Sequence, residues 1–254
     1  MIMDGKVAII TGGGAGIGAA VAHALSAGGA SVMLAGRRVA RLQDVAREIQ
    51  TRGGRAAFEA CDVADAGQCR RLVDSALHAY GHIDILVNNA GVVAHSKLMA
   101  DYTEAEWDTV MSTNVRSAFL LAKAVLPGMV AQGGGYIVNI SSVSGIRYYG
   151  GESIYGISKH ALNAMTNFIV EEYGSQGVRA IAICPGLTDT DMGLSLKPER
   201  RERLLLPQDV ADAVIWALSQ RQGSKVSGPI VIEPAEDPWD GKWSPTANSV
   251  QSGQ

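Results

Sequence analysis

Short aliphatic runs alternate with longer amphipathic stretches from Lys6 to about Ile232. Val7–Ile10, Ser31–Ala35, Ile83–Val87, Tyr136–Ile140, Val178–Cys184 and Pro229–Ile232 are mostly aliphatic, as strands buried on both faces of a parallel sheet should be. A weaker strand is predicted near Arg55–Ala60. Between them, Ile17–Ala27, Val39–Arg52, Ala66–Tyr80, Glu104–Met129, Ser153–Tyr173 and Gln208–Ser219 read as helices. Strand and helix in alternation imply an α/β fold: a parallel sheet, helices on both faces, right-handed crossovers. Asp65 with Gln68 has the spacing of a capping box, and Gly28-Gly29 suits a left-handed turn ending the first helix. No linker, repeat or shift in composition divides the chain, so residues 1–254 are expected to form a single domain. From about 235 to 254 the pattern gives way to an irregular tail with Pro238 and Pro245, and its last ten residues are expected to be disordered. Trp239 and Trp243 in that tail could pack on this subunit or on a neighbour.

Composition narrows the function. Hydrophobic residues make up 47% of the chain, enough for a substantial core, and the net charge is −3 without a Lys/Arg run. A nucleic-acid partner is therefore not expected. Apolar runs fall short of the roughly 20 residues that cross a bilayer, and the N-terminus has no signal-peptide core. These features predict a cytoplasmic protein with no membrane partner. Cys61, Cys69 and Cys184 lack metal or redox spacing, and the histidines do not cluster, so no metal site is predicted.

The first strand runs into Thr11-Gly12-Gly13-Gly14-Ala15-Gly16-Ile17-Gly18 and then a helix. Glycines let a backbone approach a pyrophosphate, while a helix N-terminus supplies free N–H groups and the positive end of a dipole. The general GxGxxG fingerprint is not matched literally, and a tight strand-to-helix turn also needs glycine. The stretch resembles the TGxxxGxG signature of the short-chain dehydrogenase/reductase family, in its ordinary single-domain branch. Further motifs follow in that family's order across residues 6 to about 232. The resemblance implies a single-domain Rossmann fold, with a seven-stranded sheet in the order 3-2-1-4-5-6-7. It also implies a nicotinamide cofactor and a homo-oligomer, a tetramer more than a dimer.

By that resemblance, Gly12, Gly14, Ala15, Gly16, Ile17 and Gly18 belong to the phosphate site. At the end of the second strand, where NAD-preferring folds place a carboxylate, the chain has Arg37 and Arg38. A guanidinium suits a 2′-phosphate, so NADP(H) is expected over NAD(H), which remains possible. An exposed basic pair leading a helix is the alternative. The Lys or Arg that NADP-preferring relatives often carry at the Ala15 position is missing. Asp62 and Val63 resemble the family's adenine-contacting pair, although Asp62 could instead cap a helix. Asn88-Asn89-Ala90-Gly91 matches the family's NNAG: Asn88 would hold the sheet, with Asn89, Ala90 and Gly91 along the ribose. Pro185 and Gly186 with Thr188 and Thr190 resemble the nicotinamide-holding segment.

The chemistry centres on Tyr155 and Lys159, whose i, i+4 spacing puts a phenol and an ammonium on one helical face. Bringing a phenol from pKa ~10 to ~7 takes about 4 kcal/mol. One cation ~4 Å away supplies that at an effective dielectric near 20. Ser142 lies thirteen residues upstream at the end of the fifth strand, where open α/β sheets build their sites. By chemistry Ser141 and Ser144 compete with it; the family's serine-to-tyrosine spacing selects Ser142. Asn114 matches the remaining member of the family's Asn-Ser-Tyr-Lys tetrad. The mechanism implied is hydride transfer between an alcohol or carbonyl and the cofactor, with Tyr155 as acid/base.

Substrate identity is not legible. The pocket is expected between Val92–Ser96, Ser144–Glu152 and the segment after Thr190, with Arg147 either a surface residue or a partner for an anionic substrate. A 3-oxoacyl-(acyl-carrier-protein) reductase activity stays open beside a free small-molecule alcohol or ketone. From another class, a non-catalytic nucleotide-sensing module would keep the glycine loop without needing the tetrad. The family's usual glycine-rich ending is replaced by Gly228-Pro229-Ile230-Val231-Ile232-Glu233-Pro234.

Overall fold

A computed structural model describes residues 3–195, 199–221, 224, 226 and 228–239. The expectations for the last ten residues and for Trp243 lie outside them. The chain runs β1 (Val7–Thr11), α1 (Gly16–Ala27), β2 (Ser31–Gly36), α2 (Val39–Thr51), β3 (Arg55–Ala60), α3 (Ala66–Tyr80) and β4 (Ile85–Asn88). It continues with α4 (Glu104–Met111), α5 (Ser117–Ala131), β5 (Gly135–Ile140), α6 (Ser153–Tyr173) and β6 (Val178–Pro185). The short α7 (Asp191–Ser195), α8 (Pro207–Ser219) and β7 (Ile230–Ile232) complete it.

The seven strands form one sheet in the order β3-β2-β1-β4-β5-β6-β7, with every pair parallel. Side chains alternate across a strand, so the sheet builds two cores. Ala8, Ile10, Val32 and Leu34 face one way and pack under α1, α2 and α8, burying Val21, Leu25, Leu42, Ile49 and Val214. Ile9, Met33, Leu86 and Ile137 face the other way against α3, α5 and α6, with Leu72, Leu121, Met129 and Ile169. Strand order reverses between β1 and β4, which opens a crevice beyond their carboxyl ends.

Local chemistry departs from expectation in two places. The predicted helix over Glu104–Met129 is interrupted by a π-turn at Ser112–Arg116 that separates α4 from α5. Asp65 does cap α3, accepting from the Gln68 N–H at 2.8 Å. The Gln68 side chain, however, accepts from Asp62 N–H instead of closing the box on Asp65. The Gly28-Gly29 turn ends α1 as expected, with Gly29 the left-handed residue at φ +101°. The cysteines are buried and unbridged, and no cluster of metal-ligating side chains occurs among the described residues.

Candidate active site

The carboxyl ends of β1, β4, β5 and β6 open into a cleft of about 890 Å³. Gly12, Gly14, Ala15, Gly16, Ile17, Arg37, Arg38, Asp62 and Val63 line one end. Asn89, Ala90, Gly91, Pro185, Gly186, Thr188 and Thr190 line its middle, and Ser142, Tyr155 and Lys159 the other end. Two of the expected residues, Gly18 and Asn114, do not line the cleft and sit behind it.

The glycine loop is built by close approach. Gly12 has φ +65°, and a Cβ there would lie 2.7 Å from Asn89 Nδ2. Gly18 serves packing, because a Cβ would collide with the Gly12 carbonyl. Thr11, which the sequence reading passed over, ties β1 to β4: its hydroxyl accepts from Asn89 N–H and Ala90 N–H, both at 2.9 Å. The Asn89 side chain donates to Thr11 O at 2.8 Å. Helix α1 has no side-chain N-cap, so its first-turn amides open onto the cleft. That uncapped terminus, with the glycine cradle, fits the pyrophosphate of a dinucleotide.

Arg37 and Arg38 differ in situation. Arg38 pairs with Asp191 on α7 at 3.2 Å, across the cleft, while Arg37 makes no ion pair among the described residues. Asp62 is not a helix cap, since Asp65 holds that place; its carboxylate accepts from Ala64 N–H at 3.0 Å. The Thr190 hydroxyl accepts from Gly193 N–H at 3.0 Å, which turns it toward α7.

At the other end, hydrogen bonds sort the three serines. Ser141 donates to the Lys159 carbonyl at 3.2 Å, and Ser144 donates to Glu152 Oε2 at 2.9 Å. The Ser142 hydroxyl accepts from Ser144 N–H at 3.1 Å and interacts with the Tyr155 phenol, whose pKa it pulls down. Lys159 is 4% exposed, and its ammonium donates to Ile140 O at 2.9 Å. Its Nζ stands 5.6 Å from the centre of the Tyr155 ring. The buried Asn114 side chain is fully engaged: it accepts from Val92 N–H at 2.8 Å and donates to Val92 O at 2.9 Å and Ser158 Oγ at 3.0 Å. Asn88 donates to Asn139 at 2.8 Å, which donates to Thr166 at 2.8 Å, a buried rail joining β4, β5 and α6.

The electrostatics correct the sequence estimate. Burial pushes the Tyr155 phenol up to about 12, against the opposing pull of the Ser142 hydroxyl, and Glu152 and Cys184 add to the rise. Burial also lowers Lys159 to about 8. The net direction for Tyr155 is therefore upward, with burial its largest cause. Both groups lose water together, and desolvation disfavours each charged form.

The comparisons agree with this geometry. The family model described as short chain dehydrogenase matches residues 6–201. The chain belongs to the short-chain dehydrogenases. An uncharacterized oxidoreductase of Staphylococcus aureus (strain USA300) is 36% identical over 219 residues, covering 86% of this chain and 93% of that protein. One from Staphylococcus epidermidis is 36% identical over 215 residues, covering 85% and 91%. Among solved structures, a metagenomic short-chain oxidoreductase in complex with NADP superposes with TM-score 0.82 at 33% identity, over 93% of this chain and all of that one. Levodione reductase superposes with TM-score 0.83 at 30% identity, over 91% and 96%.

This short-chain dehydrogenase also carries walls that sequence motifs did not reveal. Residues 233–239 leave β7 and line the cleft, Trp239 among them. Glu233 accepts two hydrogen bonds from Arg147, one of 2.8 Å from Nη2 and one from Nη1. Arg147 is thereby partnered by the protein, not left for a substrate anion. Arg203 grips the same segment through Glu236 at 2.9 Å and Asp237 O at 3.0 Å. Glu152 faces the cleft three residues before Tyr155, and that i, i+3 spacing was its only signal in the sequence.

Proposed function

We propose that this short-chain dehydrogenase interconverts a secondary alcohol and a ketone, or a primary alcohol and an aldehyde, with NADP(H) preferred over NAD(H). The observation that carries the reading is the Ser142 hydroxyl set against the Tyr155 phenol, in the same cleft wall as Lys159. When bound, the nicotinamide gives or takes the hydride. Ser142 donates to the substrate oxygen, steadying the charge that develops there. Tyr155 passes the proton between its phenol oxygen and that same atom. Lys159, fixed by Ile140 O, orients the ribose and favours the phenolate. Asn114 holds the Val92 loop against Ser158, one residue before the lysine. Arg37, with no ion pair among the described residues, favours a 2′-phosphate. Trp107, Phe119 and Phe168 are exposed apolar side chains that support an oligomer of identical subunits, which light scattering would size.

A fluorescence titration with NADPH and NADH, followed by a ketone and alcohol panel read at 340 nm, tests the reading. Tight NADPH binding with turnover is expected. NADH preference would remove the role given to Arg37, and a folded protein that binds neither would overturn the whole.

A further inference from the structure

Glu152 is an acidic side chain that lines the same cleft as Ser142 and Tyr155. It occupies the N-cap position of α6, one helical turn before Tyr155, and lines the same cavity as Ser142 and Ser144. Oε2 accepts from the Ser144 hydroxyl at 2.9 Å, whereas Oε1 has no hydrogen-bond partner among the described residues. No cation pairs with it either, in contrast to Glu233, Glu236 and Asp191 around the same cleft, each held by an arginine.

Ser144 links this carboxyl to the reacting centre. Its N–H aims the Ser142 hydroxyl at 3.1 Å while its own hydroxyl fixes Glu152. The backbone around the pair is braced as well. The Tyr102 hydroxyl lies 2.7 Å from Gly151 O, and Lys97 N–H donates to the same carbonyl at 3.1 Å. Glu152 is half-buried, so Oε1 opens to the cleft as an oriented acceptor with room for a donor. Burial also makes this carboxyl hold its proton more tightly than an exposed glutamate.

We propose that Glu152 is a specificity residue that accepts a hydrogen bond from a second hydroxyl of the substrate. The carbon bearing it lies next to the reacting carbon, or one removed from it. The preferred substrates are accordingly hydroxyketones and the corresponding diols. This rests on the alcohol–carbonyl reading above. A hydroxyl suits the site better than an ammonium group, because the Lys159 charge shares that end of the cleft and would repel a second cation. The Ser144 ladder is only one residue long, which is why the second hydroxyl must be close to the first.

The test compares matched substrates with the NADPH-loaded enzyme: 3-hydroxybutan-2-one against butan-2-one, 2-hydroxycyclohexanone against cyclohexanone, and 1-aminopropan-2-one as the cationic control. In the unmodified enzyme kcat/KM should favour the hydroxyketone by on the order of 10- to 100-fold. In Glu152→Leu and Glu152→Gln that ratio should fall toward unity, further in the leucine variant, with NADPH binding by fluorescence certifying the fold. A ratio near one in the unmodified enzyme overturns the inference even if neither variant folds. A ratio unchanged by both substitutions, or a preference for the aminoketone, overturns it as well. Turnover of simple ketones without hydroxyl preference would sink only this inference. NADPH binding with no turnover of any carbonyl would sink the underlying reading with it.

Discussion

Three serines occupy four positions after β5, and their acceptors divide their roles. Ser141 is spent on the Lys159 carbonyl and Ser144 on Glu152, which leaves Ser142 to face the Tyr155 phenol. Against that background Tyr155→Phe removes the proton carrier but not the cavity. Turnover should drop ~10²- to 10⁴-fold, the usual share of general acid–base catalysis, while NADPH still binds. Stopped-flow reduction rates beside a fluorescence titration would separate the two. Lys159 carries a pH signature of its own. The folded chain holds its ammonium at about 8, against 10.5 for an ordinary lysine. Between those values the unfolded chain binds more protons, so stability contributed at this site rises with pH. Tyr155 acts oppositely: held up to about 12 from 10, it makes stability fall as pH rises through that range. Relative to Lys159→Met, the unmodified protein should gain stability from pH 8 to 10.5, on the order of 3 kcal/mol in full. Urea melts across that interval would show it; a constant difference would contradict the assignment.

At the scale of elements, the π-turn at Ser112–Arg116 is the decisive irregularity. Hydrophobic periodicity runs through it unbroken, so the sequence reads as one helix. The wider turn is matched by tertiary hydrogen bonds that no local pattern encodes: Asn114 satisfies both backbone groups of Val92 and the Ser158 hydroxyl. π-bulges recur at functional sites for this reason. Asn114→Ala would leave the part-buried N–H and C=O of Val92 without their partner, at up to ~1–3 kcal/mol each. A loss of ~2–5 kcal/mol in unfolding free energy is expected, together with reduced turnover, since the Val92 loop and the start of α6 lose their common tie. Denaturation midpoints and rates measured on one preparation would check both. Conversely, the glycine loop and the Tyr155–Lys159 pair were legible because each is local: the first needs glycine at fixed offsets, the second only the pitch of a helix.

Across the whole molecule, the sheet order places residues far apart in sequence around one cleft. Arg38 meets Asp191, and Arg147 meets Glu233. The second pair anchors the segment over residues 233–239 to the loop after β5, making the end of the described chain part of the cleft wall. Arg147→Ala should therefore speed hydrogen exchange in residues 233–239 without affecting the amides of β5. Arg203 would keep part of the segment in place, so exchange should accelerate most near Glu233 and least near Asp237. Uniform protection in the variant would show that the pair is incidental.

The sequence by itself determined the parallel α/β architecture, the strand-by-strand order of motifs, and a glycine loop and tyrosine–lysine pair, because each depends on periodicity or short spacing. It could not determine the π-turn, the pairing of Arg147, the opposite fates of Arg37 and Arg38, or the direction of the Tyr155 shift. Those depend on which groups lose water together and which partners arrive from distant strands. Only the folded chain brings Glu152, Ser144 and Ser142 into one ladder, and only there does burial set the direction of the Tyr155 shift.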